Sequence, residues 1–98
     1  MPYFIFHGVD KPDVEATRLR VRPDHQAWVK RDHPGMRVVA AGPLTDDADA
    51  HMTGTVLVFE ADDRQAVERM LAGDPYVTEG IFSRTEVKRW RWSLGQPS

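Results

Sequence analysis

What most constrains this chain is the order in which its apolar spacing switches between two and 3.6 residues across a series of breakers. The breakers fall at Asp10-Lys11-Pro12, His33-Pro34-Gly35, Gly42-Pro43, Gly73-Asp74-Pro75 and Gly80. Residues 3–9, YFIFHGV, form an aromatic and β-branched run that reads as a strand. A helix is expected next, capped by Asp13 and running to about Asp32, with Val14, Leu19, Val21, Trp28 and Val29 spaced among charges. Pro23 either kinks it or opens its main segment after a first short turn, and both versions keep His25 helical. Residues 36–42 read as a second strand that ends at Gly42-Pro43. The acidic run Thr45-Asp46-Asp47-Ala48-Asp49-Ala50 reads as a solvated loop, and residues 54–60, GTVLVFE, as the strongest strand of the chain. Asp62 or Asp63 caps a second helix, with Val67, Met70 and Leu71 as its buried stripe and Gly73 as its C′ residue. Residues 81–90 supply a last strand, and Gly95-Gln96-Pro97-Ser98 a frayed tail.

The order β-α-β-β-α-β, combined with right-handed crossovers, predicts an α+β ferredoxin-like plait: a four-stranded antiparallel sheet with two helices on one face. Residues 1–98 are expected to be one domain. A chain of 98 residues that leaves an apolar sheet face open calls for a cover, so a homodimer is expected.

Composition narrows the partners. Thirteen basic against 15 acidic residues give a net charge of −2 and a pI near 6.0, which argues against nucleic acid and anionic membrane. No apolar run approaches the roughly 20 residues of a membrane span, and the start Met1-Pro2-Tyr3-Phe4 lacks the features of a signal peptide. The absence of cysteine excludes disulfides, thiolate metal sites and cysteine nucleophiles, and it suits a cytoplasmic location. The chain contains no glycine-rich phosphate loop, no helical metal-ligand pair and no other cofactor motif, so no cofactor is expected. Asp46, Asp47, Asp49 and His51 could be drawn as a hard-metal cluster, but the spacing lacks the glycine and glutamate of a calcium loop, and no metal is expected. Trp90 and Trp92, interleaved with Arg89 and Arg91, suggest base stacking, yet residues 54–59 lack the basic and aromatic pattern of an RNA-recognition strand. Closing the end of the core or a dimer seam is the plainer role for these tryptophans.

One constellation carries chemistry. On a helix, Arg18, Arg22 and His25 form a single polar stripe that continues into Trp28. A histidine beside guanidinium groups and an aromatic wall has the parts of a small-molecule site. Asp74 stands just past a helix C-terminus, where the macrodipole disfavours it. It either makes an ordinary Asp-Pro turn or accepts the Nδ1–H of His25, leaving Nε2 free to move a proton. Tyr76 either packs beside that turn or closes the pocket, and Gly42 and Pro43 either punctuate a turn or let backbone approach a ligand.

The succession of Arg18, Arg22-Pro23-Asp24-His25, Ala41-Gly42-Pro43, Gly54-Thr55, Asp74-Pro75-Tyr76 and Gly80 resembles the YCII-related (YciI-like) family over almost the whole chain. The resemblance implies a dimeric α/β-barrel type of fold and a site built on His25 and Asp74. It also implies small-molecule chemistry, since some family members resemble dechlorinating lyases acting on hydroxyquinones and wider relatives isomerise lactones. The short acidic loop at 45–50 and the Trp90-Arg91-Trp92 tail depart from the family pattern. The expected function is proton transfer by His25, oriented by Asp74, on a small anionic or phenolic compound. Arg18 and Arg22 would hold its charge, and Trp28, Gly42, Pro43 and Tyr76 would line its pocket. The alternative is a non-catalytic dimeric binding domain.

Overall fold

A computed structural model describes residues 2–96, so Pro97 and Ser98 of the expected tail lie outside the described residues. The strands are β1 (Tyr3–Asp10), β2 (Met36–Thr45), β3 (Met52–Ala61) and β4 (Phe82–Trp90). The helices are α1 (Glu15–Lys30), α2 (Arg64–Gly73) and a four-residue α3 (Pro75–Thr78) that the sequence reading lacks. The sheet order is β2-β3-β1-β4, and every neighbouring pair is antiparallel. This is the expected ferredoxin-like α+β fold.

Strict alternation along β1 and β3 decides which face is covered. Phe4 and Phe6 of β1, with Leu57, Phe59 and Ala61 of β3, are buried against Ala66, Val67, Met70 and Leu71 of α2. Trp28 and Val29 bring α1 onto the same core. A smaller cluster of Val21, Tyr76 and Ile81 joins α1 to α3. The opposite face carries Ile5, His7, Val9, Val56, Val58 and Trp90, all only partly covered.

Several boundaries differ from expectation, each for a local reason. Asp13 is not a cap: it has φ +62°, α1 starts at Glu15, and Val14 precedes it without a side-chain cap bond. Asp63, not Asp62, caps α2, its Oδ1 accepting the Ala66 N–H at 2.9 Å. α1 continues through Pro23 as one helix. Pro23 and Leu19, whose carbonyl loses its i+4 donor, are both exposed, so water can satisfy that carbonyl. β2 does not end at Gly42-Pro43 but runs on to Thr45. It is an outer strand, paired on one side only, where a proline is tolerated. Gly73 is the last helical residue of α2 rather than its left-handed C′ residue, and a Cβ there would lie 2.5 Å from the Trp28 ring. The left-handed cap is Gly80, at φ +68°. Its N–H donates to the Val77 carbonyl and that of Ile81 to the Tyr76 carbonyl, the paired bonds of a Schellman motif closing α3.

Candidate active site

The buried face of α1 is polar. Its buried residues are Arg18, Val21 and His25, spaced three and four apart on one side of the helix. The stripe read from the sequence therefore points partly into the protein, toward β3 and α3.

Asp74 ends α2 and caps α3 at once. With 1% of its surface exposed, its Oδ1 accepts the Tyr76 N–H at 3.0 Å and lies 2.7 Å from His25 Nδ1. A carboxylate can only accept, so the imidazole proton sits on Nδ1. Nε2 has no protein partner among the described residues. His25 is 8% exposed, and its ring stacks on Tyr76 with centroids 3.8 Å apart and planes 11° from parallel. Hydrogen bond and stack together fix both the tilt and the tautomer of the imidazole. Burial pushes the Tyr76 hydroxyl above its usual range, with Arg18 and Arg22 pulling back, so it stays protonated at neutral pH.

Arg18 is placed differently from expectation. It is 1% exposed and forms a two-point pair with Asp10, Nε to Oδ2 at 2.8 Å and Nη2 to Oδ1 at 3.1 Å. Nη2 also donates to the Gly54 carbonyl at 2.8 Å and to Thr55 Oγ1 at 2.6 Å. Its guanidinium carbon lies 4.6 Å from the Tyr76 ring centroid. Its charge is already met by Asp10, and its contacts organise the site's walls. Arg22, one turn on, is half-buried and has no carboxylate within ion-pair reach among the described residues. Lys30, also in the cavity lining, is exposed and likewise has no carboxylate within ion-pair reach among the described residues.

These groups line a cavity of about 240 Å³, walled by Arg18, Arg22, His25 and Gln26 of α1, by Gly42 and Pro43 of β2, and by Thr55 and Tyr76. A cavity of ~150 Å³ takes benzene, so this one admits a single substituted ring. Of the expected site residues, Trp28 stands apart. Its Nε1–H donates to the Met70 carbonyl at 2.9 Å and its ring covers Gly73, so it packs α1 on α2 and does not line the cavity. Asp10, Gln26 and Thr55 are additional. Asp10 carried no signal beyond a strand-ending breaker. Thr55 was legible as a polar residue on the core-facing phase of β3, in step with Leu57 and Phe59.

A larger, more open hollow of about 690 Å³ lies at the other end of the sheet, about 16 Å along β1. Tyr3, Arg89, Trp90, Arg91 and Trp92 line it, away from the histidine, and Trp92 packs edge-on against Tyr3. The acidic loop is a self-contained turn: Asp46 Oδ1 accepts the N–H groups of Ala50 at 2.8 Å and His51 at 3.3 Å, which holds its carboxyl below the usual range. His51 pairs instead with Glu15, at 2.9 Å.

The YCII-related domain matches residues 1–91. Protein YciI of Escherichia coli O6:H1 is 30% identical over 93 residues, covering 90% of this chain and 95% of that protein. An uncharacterized protein of Haemophilus influenzae is 31% identical over 94 residues, covering 91% and 96%. Among solved structures, 5-chloro-2-hydroxyhydroquinone dehydrochlorinase from Burkholderia phenoliruptrix, in complex with 2,5-dihydroxybenzoquinone, is similar at a TM-score of 0.78 and 27% identity, over 91% of this chain and 93% of that one. Fold, motif order and near-complete coverage agree, and the chain belongs to the YCII-related family.

Proposed function

We propose that this chain catalyses proton transfer on a small, hydroxylated, anionic ring compound. His25 is the acid–base group, Asp74 orients it, and Arg22 holds the ligand's negative charge. The observation that carries this reading is the 2.7 Å contact between His25 Nδ1 and the buried Asp74 carboxylate at the wall of a ring-sized cavity. An imidazole held in one tautomer presents a lone pair on Nε2, and a proton taken by it leaves an enolate whose charge Arg22 offsets. Departure of a halide from the neighbouring carbon gives a dehydrohalogenase, and return of the proton at another carbon gives an isomerase. The dehydrochlorinase relative favours the first. Proton transfer of this kind calls on no cofactor.

The test is chloride release from 5-chloro-2-hydroxyhydroquinone by the full chain. Turnover is expected, and His25→Ala should lower it by roughly 10²–10⁴-fold with the circular dichroism melt preserved. Binding of the compound by wild type without turnover of it or other halogenated hydroxyquinones would support the second reading, a binding domain using the same cavity.

The working unit in this proposal is a homodimer packed through the open sheet face, where Ile5, Val9, Val56, Val58 and Trp90 supply apolar surface. Sedimentation should give a dimer, and Val58→Glu a monomer; a monomeric wild type at assay concentration refutes it. A cytoplasmic setting fits the cysteine-free composition, and among the described residues no helix is long and apolar enough to cross a membrane.

A further inference from the structure

The sheet-side wall of the cavity contains a threonine whose hydroxyl accepts a hydrogen bond from a buried guanidinium. Thr55 is 2% exposed and lines the cavity from β3, across from the α1 residues that include His25. Its Oγ1 lies 2.6 Å from Arg18 Nη2. A guanidinium has donors and no acceptor, so Thr55 accepts this bond and its own hydrogen must turn elsewhere. Among the described residues no acceptor stands within reach of that hydrogen. The arrangement is stiff, because Arg18 is anchored by both Asp10 oxygens and the Gly54 carbonyl. It is also electrically quiet, because Asp10 offsets the guanidinium. The hydroxyl is thus a donor without a protein acceptor among the described residues, in a cavity lined also by the uncompensated Arg22 and Lys30.

We propose that Thr55 is a specificity-determining residue: its hydroxyl donates to an ionised ring oxygen, a phenolate or enolate, of the ligand whose charge Arg22 balances. This rests on the reading that the cavity takes hydroxylated ring compounds. Arg22 supplies charge that any anion can use, whereas Thr55 supplies one directed bond that only a ligand with an oxygen at that point can use. A ring lacking that oxygen leaves the hydroxyl buried and unpaired, and such a site rejects it strongly.

The test titrates the full chain with 2,5-dihydroxybenzoquinone and 4-nitrophenol, at a pH where both are ionised, and with nitrobenzene as a ring without the oxygen. Thr55→Val, which keeps the shape and removes the hydroxyl, should bind the two ionised probes about 10- to 100-fold more weakly. Thr55→Ser should stay within about threefold of wild type for every probe, and nitrobenzene, which leaves the hydroxyl unpaired, should bind Thr55→Val more tightly than wild type. Thr55→Ala replaces the valine variant if that does not fold. Equal affinity of wild type and the hydroxyl-free variant for an ionised probe overturns the role of Thr55. If wild type binds nitrophenolate but not the quinone, the proposed substrate class fails while Thr55 is judged on nitrophenolate alone. If it binds neither, both readings fall.

Discussion

Replacing Asp74 tests the junction on which site and fold both depend. Its Oδ1 serves the His25 imidazole at 2.7 Å and the Tyr76 amide at 3.0 Å, from a position 1% exposed at the start of α3. In Asp74→Ala, the imidazole N–H loses its acceptor inside the protein, which costs about 1–3 kcal/mol. The lost cap at Tyr76 costs about 1 kcal/mol more. The two share one oxygen and are not independent, so the expected loss is about 2–3 kcal/mol rather than the full sum of about 4. For a domain of this size that lowers Tm by roughly 10–25 °C. Asp74→Asn isolates the charge. One oxygen serves both the Nδ1–H and the Tyr76 amide, so an asparagine oxygen in that place keeps both bonds, and most of the stability and the Nδ1–H tautomer should remain; the negative charge that stabilises a protonated His25 is lost, which should lower turnover. Urea unfolding followed by circular dichroism gives the stability, and nitrogen chemical shifts of labelled His25 give the tautomer. If Asp74→Ala melts within about 2 °C of wild type and its His25 tautomer is that of wild type, the 2.7 Å bond is not formed in solution and the reasoning fails.

Two further perturbations probe the surroundings. Arg18→Met leaves Asp10 without its cation and Thr55 without its donor, and should destabilise by about 3–5 kcal/mol, whereas Arg22→Gln should leave Tm within about 2 °C and mainly weaken anion binding. Equal melting losses in the two variants would contradict the assignment of Arg18 as structural and Arg22 as ligand-facing. His51, raised above the ordinary value of 6.5 by its hydrogen bond to Glu15, should titrate above 6.5 in proton NMR and return toward it in Glu15→Gln. Because the folded value is the higher one, whatever this exposed pair contributes to stability is complete below about 6.5 and lost as pH rises through the folded value. A titration midpoint at or below 6.5 in wild type would show that the hairpin does not hold His51 against α1.

How far the site was legible depended on whether its signal was local. His25, Asp74 and Arg22 announce themselves as polar residues where helix spacing or a helix end makes them conspicuous. Trp28 shares the stripe of His25 but packs against Gly73, because one turn along α1 the neighbour changes from α3 to α2. Asp10 and Arg18 are eight residues apart across a breaker, and no helical or strand period relates them. Only the return of α1 over the end of β1 brings them together. Likewise α3 was hidden because Asp74-Pro75 reads equally well as a plain turn. Its helical form depends on Tyr76 being buried between Val21 and Ile81.

The sequence by itself determined the plait, the family and the candidate pair of His25 and Asp74, because periodicity, breakers and motif order are written along the chain. Which arginine is free was decided only in three dimensions. Arg18 and Arg22 lie on the same helix, four residues apart, and are alike as side chains. One meets the carboxylate that ends β1 and becomes part of the wall, while the other lines the same cavity and meets none among the described residues. The physical reason is that a buried charge must be paired, and which partner lies within reach is a property of the folded backbone, not of the order of residues.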